Sequence, residues 1–259
     1  MTDGSERVEA GCADRSSEEI PLEGGNTSPV VRVGNTVRRQ VGPWTPSVHA
    51  LLRHLESAGY EGAPRVLGID GEGREILTFL PGQIGHYPGT EVVWSDDTLD
   101  RIARLLRRLH DLTSVLPAVI DTPWRLPFPD PARREVICHN DVAPYNTVFV
   151  TGRATALIDW DYAGPGPRIW DIAHAAYRFA PLTHPEARAA YPLPGGWSEE
   201  SRLRRFCDGY GLADHSGLVE TILDRVAAMT DTGPHVEHYR RDLIYLEERR
   251  RKLAEALEG

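Results

Sequence analysis

The stretch CHNDVAPYNTVF, residues 138–149, sets a His, an Asp and two Asn between two apolar, strand-like runs, EVIC (135–138) and TVFV (147–150). Polar groups pinned between strands are costly unless they hydrogen-bond or take part in chemistry. His139, Asp141 and Asn146 make the pattern H-x-D-x-x-x-x-N. Asp159 follows thirteen residues after Asn146, at the end of the apolar run ATALI (154–158). One polar loop and one strand end, tied by strands on both sides, can hold three side chains to tenths of an ångström.

Asp141, Asn146 and Asp159 together suit phosphoryl transfer. A carboxylate beside an attacking hydroxyl accepts its proton, while an amide oxygen and a second carboxylate hold Mg²⁺ against phosphates. Magnesium takes hard oxygen ligands and keeps several waters, so one Asn and one Asp suffice.

Outside this region the chain is ordinary for a soluble globular protein: 259 residues, 41% hydrophobic and 26% charged. That length fits one large domain or a two-lobed enzyme with a sizeable core. The net charge of −9 argues against a nucleic-acid backbone as partner, which needs a basic face. Cys12, Cys138 and Cys207 are odd in number and show no CxxC spacing, so neither a disulfide framework nor a zinc site is expected. The first residues carry no apolar signal core and no run reaches a membrane-spanning length, which predicts a cytoplasmic, monomeric or weakly dimeric protein away from membranes.

Residues 1–20 are polar and acidic without periodicity and read as a disordered tail. VVRV (30–33), a Gly34-Asn35 turn and TVRRQV (36–41) predict a hairpin. A helix is expected over 48–59, then strands over 63–70 and 74–80, stopped by Pro81-Gly82. Beyond that the text turns helical: one long helix over 94–116 starting at Ser95, Asp96 and Asp97, a Pro-rich connector (117–131), three short strands, and helices near 170–179, 199–210, 216–229 and 236–257. A β-rich section of residues 21–80 joined to a helical section of residues 81–259 predicts an α+β fold of two lobes with a ligand cleft between them. LTHPEARAAYPLPGGW (182–197) reads as either a lid or a plain connector.

CHNDVAPYNTVF followed by LIDWDYAGPGPRIWDIA resembles the aminoglycoside phosphotransferase family of protein-kinase-like enzymes, whose hallmark is H-x-D-x-x-x-x-N, then I-D-W, then G-x-P-x-x-D-[LI]-A. The likeness is good over about residues 22–180 and looser beyond. It implies a bilobal protein-kinase-like fold, ATP or GTP as phosphate donor and Mg²⁺ as cofactor. It implies Asp141 as catalytic base, Asn146 and Asp159 as magnesium ligands, and His139 and Asp171 as braces of the catalytic loop. Asp161 would face substrate or sit in a solvated turn. In the small lobe, Gly25 within Gly24-Gly25-Asn26-Thr27 would belong to a phosphate-covering loop, and the main chain of Thr78 and Leu80 would meet the adenine.

One departure stands out. Of 29 basic residues, 28 are Arg and the only Lys is Lys252, so the phosphate-gripping Lys that the family carries on its third strand is missing. Arg38 or Arg39 must fill that role, and strand parity favours Arg39. The Glu that relatives pair with this Lys is also missing: Val48 or His49 occupies its place and Glu56 comes too late. The expected activity is transfer of a nucleotide γ-phosphate to a hydroxyl of a small molecule, and the acids on the last helices would suit an aminoglycoside-like or other amino-substituted acceptor. The alternatives are a peptide or protein hydroxyl kinase, or a nucleotide-binding pseudokinase acting as an immunity or regulatory partner.

Overall fold

The computed structural model describes residues 18–22, 29–116, 122–231 and 235–258. The expected acidic tail up to residue 17 and the glycine loop with Gly25 lie outside them.

The first section is a five-stranded antiparallel sheet of order β1-β2-β3-β5-β4, built from β1 (Glu19–Pro21), β2 (Val30–Val33), β3 (Thr36–Gln40), β4 (Val66–Ile69) and β5 (Arg74–Thr78). β2 and β3 form the hairpin expected at Gly34-Asn35, with Gly34 at φ 58°, where a side chain would be strained. Residues 19–20, assigned from sequence to the tail, pair as β1 with Val33 and Arg32; their register comes from the partner strand and not from local pattern. Helix α1 (Thr45–Ser57) packs on this sheet through Val48, Leu51, Leu52 and Leu55, which are fully or almost fully buried. It begins three residues before the expected start because Pro46 serves the first turn, where no amide partner is required.

The second section is mainly helical. The helix expected over 94–116 with its start at Ser95 is α3 (Asp96–Thr113), and a short α2 (Glu91–Trp94), not expected from the sequence, precedes it. Ser95 divides them. Its backbone is extended, and its hydroxyl caps α3 by accepting from the Thr98 amide. Apolar Leu99, Ile102, Leu106 and Leu109 then line one buried face of α3. Two small sheets carry the polar loop: β7 (Val136–Cys138) pairs with β10 (Gly164–Gly166), and β6 (Gln83–Ile84), β8 (Thr147–Val150) and β9 (Arg153–Leu157) form a three-stranded sheet. Any side chain at Gly164 would collide with the Leu126 carbonyl, 2.6 Å from where its Cβ would stand.

Helices α4 (Arg168–Phe179), α5 (Pro185–Arg188), α6 (Glu199–Tyr210), α7 (Leu218–Ala227) and α8 (Val236–Glu258) complete the larger lobe. The core runs from α1 through α3 and α4 to α6, α7 and α8. The fully buried Asp242 ties α8 to α4 and the following loop by accepting from Tyr177, Thr183 and the His184 amide. The 182–197 stretch is pinned in the same way, with Tyr191 stacked on Trp94 at 4.5 Å and on Tyr87 at 5.6 Å. The fold is α+β and bilobal, a β-rich lobe followed by a helical one. No helix among the described residues is long and apolar enough to cross a membrane.

Candidate active site

β7 and β8 hold the ends of the loop at residues 139–146, and α4 supplies its anchor. Asp171, fully buried in the first turn of α4, accepts from the amides of His139 (2.7 Å) and Asn140 (2.9 Å). His110 on α3 adds its Nε2 at 3.1 Å while its Nδ1 meets the Tyr210 hydroxyl at 2.8 Å. Burial works to raise the Asp171 carboxyl, but the His110 hydrogen bond and the loop amide of His139 hold it below the ordinary carboxylate range. His139 is buried too, which lowers its pKa, and its Nδ1 accepts from the Asp141 amide at 3.4 Å. A neutral, enclosed imidazole of this kind shapes the loop. Asn140 takes φ 66°, a left-handed conformation that the anchors on either side hold in place.

The loop turns Asp141 toward the cleft. Its carboxylate accepts from the Tyr145 hydroxyl at 2.7 Å and from Asn146 Nδ2 at 2.8 Å, and His174 Nε2 on α4 lies 3.3 Å away. Burial would push this acid up, yet His174, the Tyr145 hydroxyl and the charge of Arg178 hold it well below the usual carboxylate range. His174, 1% exposed and repelled by Arg225 and Arg178, is itself pulled down to about 4 by burial, so at neutral pH it contributes as a neutral ring. The hydroxyl and the amide are therefore the steady partners of an ionised Asp141.

Asn146 spends its amide nitrogen on Asp141, bonding both the main-chain oxygen (3.0 Å) and the carboxylate, which leaves its Oδ1 as a hard oxygen of the kind a magnesium ion takes. Its carbonyl accepts from the Ile158 amide at 2.9 Å, so the residue before Asp159 is fastened directly to the Asn146 backbone. Asp159 sits at φ 59°, just beyond β9, and its carboxylate is 45% exposed beside Arg39. This donor pair, an amide oxygen and an exposed carboxylate linked through one hydrogen bond, fits Mg²⁺.

Arg39 crosses the cleft from β3. Its Nε pairs with Glu75 at 2.5 Å, its Nη1 with Asp159 at 3.1 Å and its Nη2 with Asp161 at 2.7 Å. Arg38 points to the other face of the strand, 4.0 Å from Asp70. Asp161 is raised above the ordinary range by burial, with Arg39 pulling it down and Asp159 adding to the rise. The anchor of Arg39 is Glu75 on β5, directly opposite Arg39 in the ladder, and not a residue of α1. His49 of α1 stands at 2.8 Å from the second oxygen of Glu75, completing a relay Arg39–Glu75–His49 in place of one helix acid. Burial favours a raised Glu75, but His49 and Arg39 outweigh it and the carboxyl lies below its ordinary value. Glu56 is remote from this group, half-exposed at 3.8 Å from Arg65. Lys252 is on the far end of α8, bonded to Glu200 at 2.9 Å.

At the link between lobes, Thr78 spends its amide on the Arg65 carbonyl (2.9 Å) and its hydroxyl on the Arg65 amide (2.8 Å). It has no amide left to donate to a ligand, because β5 remains paired to the segment leading into β4. Phe79 donates to Asn35, and the amide of Leu80 joins no hydrogen bond among the described residues, leaving it as the donor at this position.

The sequence pattern marks Asp141, Asn146, Asp159, Asp161, Asp171, His139 and Arg39, and the fold joins all of them in one chain of contacts. Glu75, His49, His174, Tyr145, Arg178 and Arg225 join them without belonging to the motif. Glu75 had a sequence signal: in REILT (74–78) it alternates with Leu77 on the inward face, an odd place for an acid.

Residues 123–206 match the family described as phosphotransferase enzymes. The trifolitoxin immunity protein of Rhizobium leguminosarum bv. trifolii is 35% identical over 213 residues, 80% of each chain. Among solved structures, an amicoumacin kinase bound to AMP-PNP and Ca²⁺ superposes with a TM-score of 0.64 at 12% identity, covering 90% of this chain and 88% of that one. A choline kinase from Cryptosporidium parvum Iowa II gives 0.60 at 14%, covering 92% and 90%. These last two likenesses are of fold. The motif, this chain of contacts and the identity to the immunity protein across four-fifths of each sequence lead to one assignment: the chain belongs to the aminoglycoside phosphotransferase family of kinase-like phosphotransferase enzymes.

Proposed function

We propose that the protein transfers the γ-phosphate of ATP, or GTP, to a hydroxyl group of a small molecule. The observation that carries this reading is the Asp141–Asn146–Asp159 geometry: an ionised carboxylate at the cleft, beside an amide oxygen and an exposed carboxylate held together by the Ile158–Asn146 hydrogen bond. Asp141 would accept the hydroxyl proton as the acceptor oxygen bonds to phosphorus. Asn146 and Asp159 would hold the metal, whose charge neutralises the phosphate oxygens. Arg39 would bind phosphate oxygens in the role of the family's lysine, letting go of Asp159 and Asp161 while keeping Glu75. Leu80 would donate its amide to the adenine edge. Gly25 is proposed for the phosphate loop on sequence resemblance alone. The small lobe over residues 21–80 would carry the nucleotide and the larger lobe the acceptor.

The test is a screen in which purified protein, nucleotide and Mg²⁺ are incubated with hydroxylated acceptors, and products heavier by one phosphate are sought by mass spectrometry. Nucleotide consumption without any phosphorylated product would count against the reading.

The likeness to a toxin immunity protein favours a second, related reading: the protein protects its host from a toxic compound. Protection could come from phosphorylating the toxin or from binding it. Expression in a trifolitoxin-sensitive strain separates them. If wild type protects and Asp141→Asn does not, transfer is the means; equal protection by both would make it a binding protein.

A further inference from the structure

On α4 and α7, two cations are buried with no carboxylate partner among the described residues. Arg178 of α4 is 8% exposed and Arg225 of α7 is 6% exposed, yet no ion pair among the described residues includes either. Arg202, the third buried arginine, meets Asp96 at 3.3 Å as such a group ordinarily must. Arg178 donates Nη2 to the Tyr239 hydroxyl at 2.9 Å, and its Nε makes no hydrogen bond. Arg225 donates to the Asn140 carbonyl in the catalytic loop, lies 5.1 Å over the Trp170 ring, and also leaves Nε unbonded.

Both arginines act on the same place. Arg178 adds positive charge at Asp141, and the two together oppose protonation of His174 beside it. The Tyr145 ring, whose hydroxyl bonds Asp141, stands 5.7 Å from the Arg178 guanidinium. Tyr87 and Tyr191 extend the aromatic wall outward, Tyr87 being 37% exposed. Asp242, behind Tyr177, is taken up by Tyr177, Thr183 and His184 and does not neutralise Arg178.

The acids that suggested an amino-substituted acceptor are either paired with other groups or exposed on the helices, and none of them is an ion-pair partner of Arg178 or Arg225 among the described residues. Glu199 binds Arg188, Arg249 and Tyr245, Glu200 binds Arg249 and Lys252, and Glu237, Glu247 and Glu248 are exposed on α8. The ground beside Asp141 is thus aromatic and positive.

We propose that the acceptor of the phosphotransferase reaction carries a carboxylate, which the Arg178 guanidinium binds with help from the Tyr239 hydroxyl, while its hydroxyl reaches Asp141. This rests on the transfer reading given above. A planar guanidinium matches a carboxylate in two parallel hydrogen bonds, which an ammonium or amide ligand cannot accept. In the reaction the acceptor oxygen bonds to Pγ, the Pγ–O bond to the nucleoside diphosphate breaks, and the hydroxyl proton goes to Asp141.

The experiment uses three probes with one hydroxyethyl arm: 4-(2-hydroxyethyl)benzoate, its carboxamide, and the corresponding benzylamine. Each is titrated into the full chain with Mg²⁺ and a non-hydrolysable ATP analogue, and each is then offered with ATP. The benzoate should bind at least about tenfold tighter than the amide, the amine more weakly still. Arg178→Gln should erase the preference and Arg178→Lys should keep part of it, with thermal unfolding confirming that each variant is folded. Equal or better binding of the amide or amine, no binding of the benzoate at millimolar concentration, or an unchanged preference in folded Arg178→Gln would overturn the assignment. Benzoate that binds but is never phosphorylated would retire the transfer reading and leave the carboxylate site standing. Phosphorylation of the amine in preference to the benzoate would do the reverse.

Discussion

Arg39 gives one nitrogen to each of three carboxylates, Glu75, Asp159 and Asp161, and that fan decides what a substitution there costs. Arg39→Ala leaves Glu75, 1% exposed, with only His49 for company, and a buried ion stripped of its partner costs about 3–5 kcal/mol. Turnover should fall on the order of 10²–10³-fold, the worth of one charged donor at a transferring phosphoryl group. Arg39→Lys should restore it only in part, because an ammonium can keep Glu75 and meet a phosphate oxygen once Asp159 and Asp161 are released, but cannot grip phosphate in two parallel hydrogen bonds. Arg38→Ala should change little, since its contact with Asp70 is 4.0 Å long. Steady-state kinetics of the three variants check this; a crippled Arg38→Ala beside a healthy Arg39→Ala would invert the assignment. Asp159→Ala tests the metal at the same scale. Calorimetry with and without Mg²⁺ should show nucleotide affinity that magnesium no longer improves, and an undiminished magnesium effect would put the ion elsewhere.

Helix α4 braces the loop at residues 139–146 through Asp171 and places His174 beside Asp141, so its titration reaches the stability of the lobe. His174 falls from 6.5 to about 4 in the folded chain. The unfolded chain therefore takes up a proton first as pH drops, and stability present above pH 6.5 is lost progressively toward pH 4, by at most about 3 kcal/mol from this group. Urea midpoints measured from pH 7 to 4.5 should decline less steeply in His174→Gln than in wild type; parallel curves would mean that His174 titrates normally.

Elements also differ in how far the sequence announces them. α6 keeps its expected bounds, Glu199–Tyr210, because Ser198 caps it and Gly211 ends it at φ 74°, both local signals. β10 is the opposite case: Gly164-Pro165-Gly166 has no strand propensity and extends only because β7, twenty-six residues earlier, pairs with it. The Ser95 start of α3 is likewise a local cap signal, whereas the four-residue α2 before it is too short to show a period.

For the whole molecule, the net charge of −9 is a poor guide to the site. Many acids lie in surface pairs on the helices, whereas the buried charges left without an ion pair among the described residues, Arg178 and Arg225, are positive and act on Asp141 or the loop that carries it. Composition averages over the surface and cannot report which few charges are desolvated. The motif could name Asp141, Asn146 and Asp159 because their spacing is local. It could not name Glu75, which reaches Arg39 only through the β3–β5 ladder, or Arg178, which reaches the site only through the packing of α4.

The account stands most directly on Asp141 as the base of a phosphoryl transfer. The deciding measurement compares wild type and Asp141→Asn for nucleotide affinity with Mg²⁺ and for formation of a phosphorylated acceptor by mass spectrometry. The prediction is equal nucleotide binding in both proteins, with product formed by wild type and lost by at least about 10³-fold in the variant. Equal product formation by the two proteins would contradict it.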